Sequence, residues 1–159
     1  MKILSFISFC SILFMSGCLT LTKVQFMEED NYVEVFDDLQ DNKHQLYLKA
    51  NNWIIQAFND AESVIQHSDK EEGVVIGKYL MSGTVQSNMY GSVDNRVYAI
   101  IDIRVKDHKA RLEIKPQGQW SYDPSGMSIY NYSKEDAIND MKRLSDDFYN
   151  ALLKDNVEF

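Results

Sequence analysis

Two stretches of the chain repeat their apolar residues at helical spacing, and one long stretch alternates them. Leu46, Ala50, Trp53, Ile54 and Ala57 follow the i, i+4, i+7, i+8, i+11 spacing of one helix face, while Lys43, Lys49, Asn52 and Gln56 fall largely elsewhere. Asn42 with Gln45 three residues on forms a capping box, in which each side chain satisfies an otherwise orphan backbone amide. Ser133 with Asp136 repeats that signal before a second stripe of Ala137, Met141, Leu144, Phe148 and Leu152, with Ile138 beside it. Between the two helices, Val97, Ala99, Ile101, Ile103 and Val105 alternate with Tyr98, Ile100, Asp102, Arg104 and Lys106. Ala110, Leu112 and Ile114 then alternate with Arg111, Glu113 and Lys115. A two-residue turn at Asp107-His108 sets 105 opposite 110, 103 opposite 112 and 101 opposite 114, which places six apolar residues on one face. The same register puts Arg104 opposite Arg111 outside, each with Glu113 or Asp102 as a diagonal neighbour.

Shorter elements complete the pattern. Val33–Phe36 reads as a strand, with a polar break from Asp37 to Asp41. Ser63–Gln66 reads as a short strand, followed by a turn over Ser68–Gly73 in which Gly73 can take positive φ. Val74–Met81 forms the next strand, with Gly77 as a bulge or a site of close approach, and a polar loop follows from Ser82 to Asp94. The order β-α-β-β-β-β-α predicts an α+β domain: an antiparallel sheet with two helices packed on one face. Two surfaces are candidates for binding. The uncovered sheet face is expected to carry Tyr79, Tyr98, Ile100, Arg104, Arg111 and Lys115, and it either faces water or serves as a platform. The irregular 116–132 stretch holds Trp120, Tyr122, Tyr130 and Tyr132 among Ser, Asn and Gly, residue types that make adaptable, low-entropy contacts. The alternative for these aromatics is packing back over the sheet edge or a helix.

The first 17 residues are a separate object. Lys2 is their only charge, and Ile3–Met15 is a 13-residue apolar run, well short of the ~20 residues that span a bilayer as a helix. A cationic start, an apolar core and small residues at its end describe an export signal. Met15-Ser16-Gly17-Cys18 resembles the lipobox of bacterial lipoproteins, in which the Cys is linked to diacylglycerol and becomes the mature N-terminus. The resemblance implies a signal peptide at 1–17, a lipidated N-terminus and tether at 18–31, and a folded domain at 32–159. Cys10 then leaves with the signal, and acylated Cys18 anchors a chain with no free thiol. Removal of the signal leaves 142 of the 159 residues and takes Lys2 with it, so the net charge moves from −8 to −9. Residue 19 is Leu, where Asp is the inner-membrane retention signal of the best-known sorting systems, so the resemblance favours the outer membrane, facing the periplasm.

Composition narrows the chemistry. With 16 Lys and Arg against 24 Asp and Glu, the chain lacks the basic footprint by which proteins displace counterions from phosphates, so a nucleic-acid partner is excluded. Two Cys build neither a disulfide scaffold nor a four-thiolate metal site. His44, His67 and His108 have no metal-ligand spacing, and no HExxH, GxSxG, P-loop or paired-glycine dinucleotide turn is present. Asp102 and Glu113 lie beside Arg104 and Arg111 and read as solvated ion pairs before they read as an acid/base pair. No cofactor, metal or catalytic residue is expected. The expectation is a non-catalytic, lipid-anchored envelope domain that contacts a protein or small ligand; a carboxylate-dependent hydrolase and a purely structural lipoprotein are the alternatives.

One further likeness is specific to the domain. Asn42-Lys43-His44-Gln45-Leu46-Tyr47 with Trp53, Val64-Ile65, Asp69-Lys70-Glu71-Glu72-Gly73-Val74-Val75-Ile76-Gly77-Lys78, and Ile103-Arg104-Val105-Lys106-Asp107-His108 with Arg111 resemble a family of bacterial lipoprotein domains of unknown function. The resemblance spans about residues 33–115 and implies a TATA-binding-protein-like fold, without catalytic residues to carry over. His108 stands where that family's turn often has Gly.

Overall fold

A computed structural model describes residues 22–58, 64–89, 91–122 and 132–154. Its centre is a hairpin of β7 (Val97–Lys106) and β8 (Lys109–Gln117). Val105 pairs with Ala110, Ile103 with Leu112 and Ile101 with Ile114, the register expected from the alternation. The helices α1 (Lys43–Ala57) and α2 (Lys134–Leu153) each begin at a complete capping box, Asn42 with Gln45 and Ser133 with Asp136. Strand β2 (Tyr32–Phe36) lies beside β8, while β4 (Val74–Ser82) and β3 (Val64–Asp69) extend the other side. The resulting five-stranded antiparallel sheet has the order β2-β8-β7-β4-β3. Both helices pack on one of its faces, so the α+β architecture is as expected. Ile101, Ile103, Leu112 and Ile114 from the sheet meet Leu46, Ile54 and Phe148 from the helices, all with no accessible surface.

Each local feature has an identifiable cause. The β3–β4 turn closes with Gly73 at φ +69, and the Gly73 carbonyl accepts from Val105 N–H at 2.8 Å. β3 runs further than expected, through Asp69, with a bulge between Ile65 and His67. At the β7–β8 turn, His108 takes φ +63 without a glycine's freedom. Three hydrogen bonds offset that strain. His108 N–H donates to the Asp41 carbonyl (3.0 Å), its Nδ1–H donates to the Leu39 carbonyl (2.9 Å), and its own carbonyl accepts from Leu39 N–H (3.1 Å). Asp107 Oδ1 meanwhile accepts from Lys43 N–H at 2.8 Å, so the turn also caps the start of α1.

Three segments differ from the sequence reading. The 82–94 segment, read as a loop, contains a small hairpin of β5 (Val85–Asn88) and β6 (Gly91–Asp94). The supposed tether is partly built into the domain: β1 (Thr22–Gln25) pairs with β9 (Gln119–Tyr122), which falls in the stretch read as irregular. After β1, a 3-10 turn at Glu28–Asp30 leads into β2. The cause is a pair of anchors. Phe26 buries itself with Val97, Tyr132 and Ala137, and Asp30 forms an ion pair with Lys134 at the start of α2 while accepting from Met27 N–H at 2.9 Å. Structure tied to the domain is therefore present before residue 32, at β1, Phe26 and Asp30.

That second anchor has a pH signature. The Lys134 ammonium and the Met27 amide hold the Asp30 carboxyl below its ordinary value. A depressed folded pKa means the contribution is complete above the unfolded carboxylate range, about pH 4, and is lost as pH falls through the folded value. Urea unfolding between pH 2 and 7 is expected to show a steeper acid loss for the wild type than for Asp30→Asn; equal slopes would remove this group from the acid response.

Candidate functional site: the open sheet face

The face opposite the helices follows from the pairing. On β7 it presents Tyr98, Ile100, Asp102 and Arg104, and on β8 Arg111, Glu113, Lys115 and Gln117. The outer strands add Val33 and Val35 on β2, Val74, Ile76, Lys78 and Leu80 on β4, and Val64, His67 and Asp69 on β3. Among the described residues no helix packs on this face.

Its charges form bands across the sheet. Arg104 stands opposite Arg111, Asp102 opposite Glu113, and Lys115 opposite Ile100, whose other neighbour is Lys78. Arg104 reaches both carboxylate oxygens of Asp102, at 3.0 and 3.1 Å, and Arg111 bonds Glu113 at 3.0 Å. These bonds run along each strand, two residues apart, whereas the sequence pattern pointed to diagonal partners. Lys115 also reaches Glu113, at 3.2 Å. Asp102 is only 5% exposed, so this pair is not solvated as expected, although the Arg104 side chain retains 57% of its surface. Lys78 Nζ lies 3.6 Å above the Tyr98 ring, a cation–π contact. A groove of about 350 Å³, bordered by Met27, Asn31, Glu113, Lys115 and Gln117, continues the face toward β1.

The remaining expected site residues lie elsewhere. Tyr79 pairs with Ala99 and therefore sits on the helix-covered face, its ring 5.5 Å from Phe58. This corrects its expected place on the open face. The signal was Gly77. Only the covered face brings a side chain so close that a Cβ would meet the Phe58 ring at 2.3 Å, and Tyr79, two residues on, shares that face. Trp120 packs against the cluster of Phe26, Val97, Tyr132 and Ala137, and Tyr132 is buried within it. Tyr132 Oη donates to Asp140 at 2.9 Å, and desolvation together with that carboxylate pushes its phenol far above the ordinary value. These two aromatics are thus packing residues that fasten β9 and α2, not an adaptable contact surface. Tyr122 is the last residue of β9, opposite Thr22. Tyr130 and Cys18 lie outside the described residues. Arg104 and Arg111 are brought side by side, whereas Tyr98 shares their face but lies six residues along β7, about 20 Å away. The exposed Val33 and Val35 beside Glu113 and Arg111, and Lys78 over Tyr98, are members of this face that sequence reasoning missed.

His44 lies on α1, His67 on β3 and His108 in the β7–β8 turn; among the described residues no three His, Cys, Asp or Glu side chains gather as a metal site. Nor, among them, is any helix long and apolar enough to cross a membrane.

Comparison with known proteins agrees with this architecture. Over most of its length the chain is similar to the crystal structure of a DUF4468 family protein from Bacteroides ovatus ATCC 8483, with a TM-score of 0.54 and 12% identity, covering 85% of this chain and 94% of that one. It is equally similar to a TBP-like protein from Parabacteroides distasonis ATCC 8503, with a TM-score of 0.54 and 13% identity, covering 83% and 99%. At such identities the likeness concerns the fold. No curated protein matches the chain. The family model of the domain of unknown function DUF4468, with TBP-like fold, matches residues 32–116, more than half of the sequence and nearly the whole five-stranded sheet, and the chain belongs to that family.

Proposed function

We propose that this protein is a lipid-anchored envelope protein that works by binding, with the open sheet face as its recognition surface. The observation that carries the reading is the uncovered face itself, where Arg104 and Arg111 stand side by side with exposed Val33 and Val35 at the edge, and Tyr98 lies further along the same face. Arginine and tyrosine beside apolar surface are the side chains that dominate the energetics of protein interfaces. The Asp102 and Glu113 carboxylates are each engaged by a guanidinium, which suits a fixed polar surface better than a reacting centre. In this reading the anchor is the lipid on Cys18, in the outer membrane facing the periplasm. β1 starts at Thr22, so the domain stands close to the bilayer.

Two experiments test the reading. In-cell crosslinking is expected to return a partner from the wild type and none from Tyr98→Ala/Arg104→Ala/Arg111→Ala. Because Asp102, 5% exposed, loses its guanidinium, the variant's unfolding midpoint falls, and circular dichroism checks that it remains folded at the working temperature. Undiminished capture by a folded triple variant would sink the binding surface. For the anchor, Cys18→Ala is expected to accumulate as uncleaved precursor that takes up no labelled palmitate; normal processing of that variant would rule the lipobox out.

A further inference from the structure

The open face differs in charge from the rest of the molecule. In a chain of net charge −8, its central rows hold four cations, Arg104, Arg111, Lys115 and Lys78, against two anions, Asp102 and Glu113, with a third anion, Asp69, at the β3 end of the Arg104–Arg111 row. Side chains two residues apart on one strand face lie about 7 Å apart. The rows therefore alternate positive (Arg104 and Arg111), negative (Asp102 and Glu113) and positive (Lys115 and Lys78) along the strands. Apolar flanks border the bands: Val33 and Val35 on β2, Val74 and Ile76 on β4. From β2 to β4 there are three strand spacings, about 14 Å, which matches the roughly 10–12 Å diameter of an α-helix with its side chains and exceeds that of one extended chain.

We propose that the occupant of this face is an acidic amphipathic helix of a partner protein, laid along the strands between the two apolar flanks. The proposal rests on the binding reading and names its ligand class. The Arg104–Arg111 and Lys115–Lys78 rows are about 14 Å apart. Two acidic residues seven apart on one helix face are separated by about 10.5 Å, and the reach of the long arginine, lysine and glutamate side chains spans the remaining few ångströms. A basic residue at i+4 falls over the Asp102–Glu113 row between them. Apolar neighbours on the same helix face meet Val33, Val35, Val74 and Ile76. A bilayer with anionic headgroups offers the same charge but fits the shape poorly. Successive strands of a sheet rotate by roughly 20–25°, so a plane touches a five-stranded twisted face only along one diagonal, whereas a helix can follow it.

The test uses the mature, lipidated full chain held in phosphatidylcholine nanodiscs. The probes are two fluorescein-labelled 18-residue helical peptides with the same leucines, one with Glu at i and i+7 and Lys at i+4, the other with these charges exchanged. The acidic peptide is expected to bind at least tenfold more tightly than its charge-exchanged counterpart, and Arg104→Glu/Arg111→Glu is expected to abolish or reverse that preference. Three results overturn the proposal: equal or tighter binding of the exchanged peptide, a preference untouched by the Arg104 and Arg111 changes, or loss of peptide binding when phosphatidylglycerol is included in the disc. The last would make the membrane the occupant. Each of these leaves the binding reading standing, since that reading fails separately if the Tyr98, Arg104 and Arg111 triple variant keeps its captured partner in cells.

Discussion

Phe148→Ala is expected to destabilise the domain by about 3–5 kcal/mol. Phe148 has no exposed surface and sits where the two helices meet the sheet. Its ring is 5.0 Å from Trp53 on α1 and 5.8 Å from Phe36 on β2, the latter edge-on. Removing it takes away transfer free energy, two aromatic contacts and the filling of a site that three elements share. Trp53 cannot collapse into the space freely, because its Nε1–H is held by Asp147 of α2 at 2.8 Å. Against a typical total stability of about 5–15 kcal/mol, the loss is a large fraction, and the melting temperature should fall by on the order of 10 °C. Tyr149 provides the internal control. It stacks on Phe36 at 5.2 Å but is 40% exposed, so Tyr149→Ala leaves no closed cavity. Its cost is expected to stay within about 1.5 kcal/mol. Urea unfolding of both variants checks the contrast; similar losses would mean that Phe148 does not join the layers.

Gly77→Ala is the second large effect. A Cβ at this position would lie 2.3 Å from Phe58 Cε2 and 3.1 Å from Ile54 Cδ1, so α1 and β4 approach each other through the absence of a side chain. Because the neighbour is a ring at the end of a helix, the structure can yield by moving Phe58, and the cost is expected to be about 1–3 kcal/mol. The mechanism predicts non-additivity. Phe58→Ala removes the obstacle, so Gly77→Ala/Phe58→Ala should cost at least 1 kcal/mol less than the two single changes together, on the scale of couplings between touching residues. Additive losses in a double-mutant cycle would place the cost in the backbone and not in the ring.

The same glycine shows where local pattern stops. The β7–β8 hairpin was legible to the residue, because strict alternation and a two-residue turn admit one register that buries Ile101, Ile103, Leu112 and Ile114 together. Both helices were legible from their stripes and capping boxes. β4 was different. Val74, Val75 and Ile76 are consecutive apolar residues, as are Tyr79, Leu80 and Met81, so hydrophobicity favours neither phase and does not tell the open face expected for Tyr79 from the covered face it occupies. The close-approach reading of Gly77, applied to its neighbours, would have set the phase. For the pairing of β1 with β9 there was no such signal. Each strand is four residues long, and they are brought together by Phe26 and the Asp30–Lys134 ion pair, contacts between segments far apart in the chain.

The candidate site divides the same way. Arg104 and Arg111 were placed side by side by alternation alone, and they are. That Asp102 beneath them is nearly buried, that Lys78 lies over Tyr98, and that Val33 and Val35 line the edge depend on which strands became neighbours. Trp120 and Tyr132 carried a composition suited to binding, yet they pack inward, because a buried cluster at the end of the sheet was available to them. The sequence by itself determined the two helices with their caps, the strands of the main sheet and the two-sided character of its central hairpin, since those depend on residues a few positions apart. Only the tertiary structure decided strand order, the phase of β4 and which aromatics remain at the surface. Burial is a property of what arrives from elsewhere in the chain, and no local period encodes it.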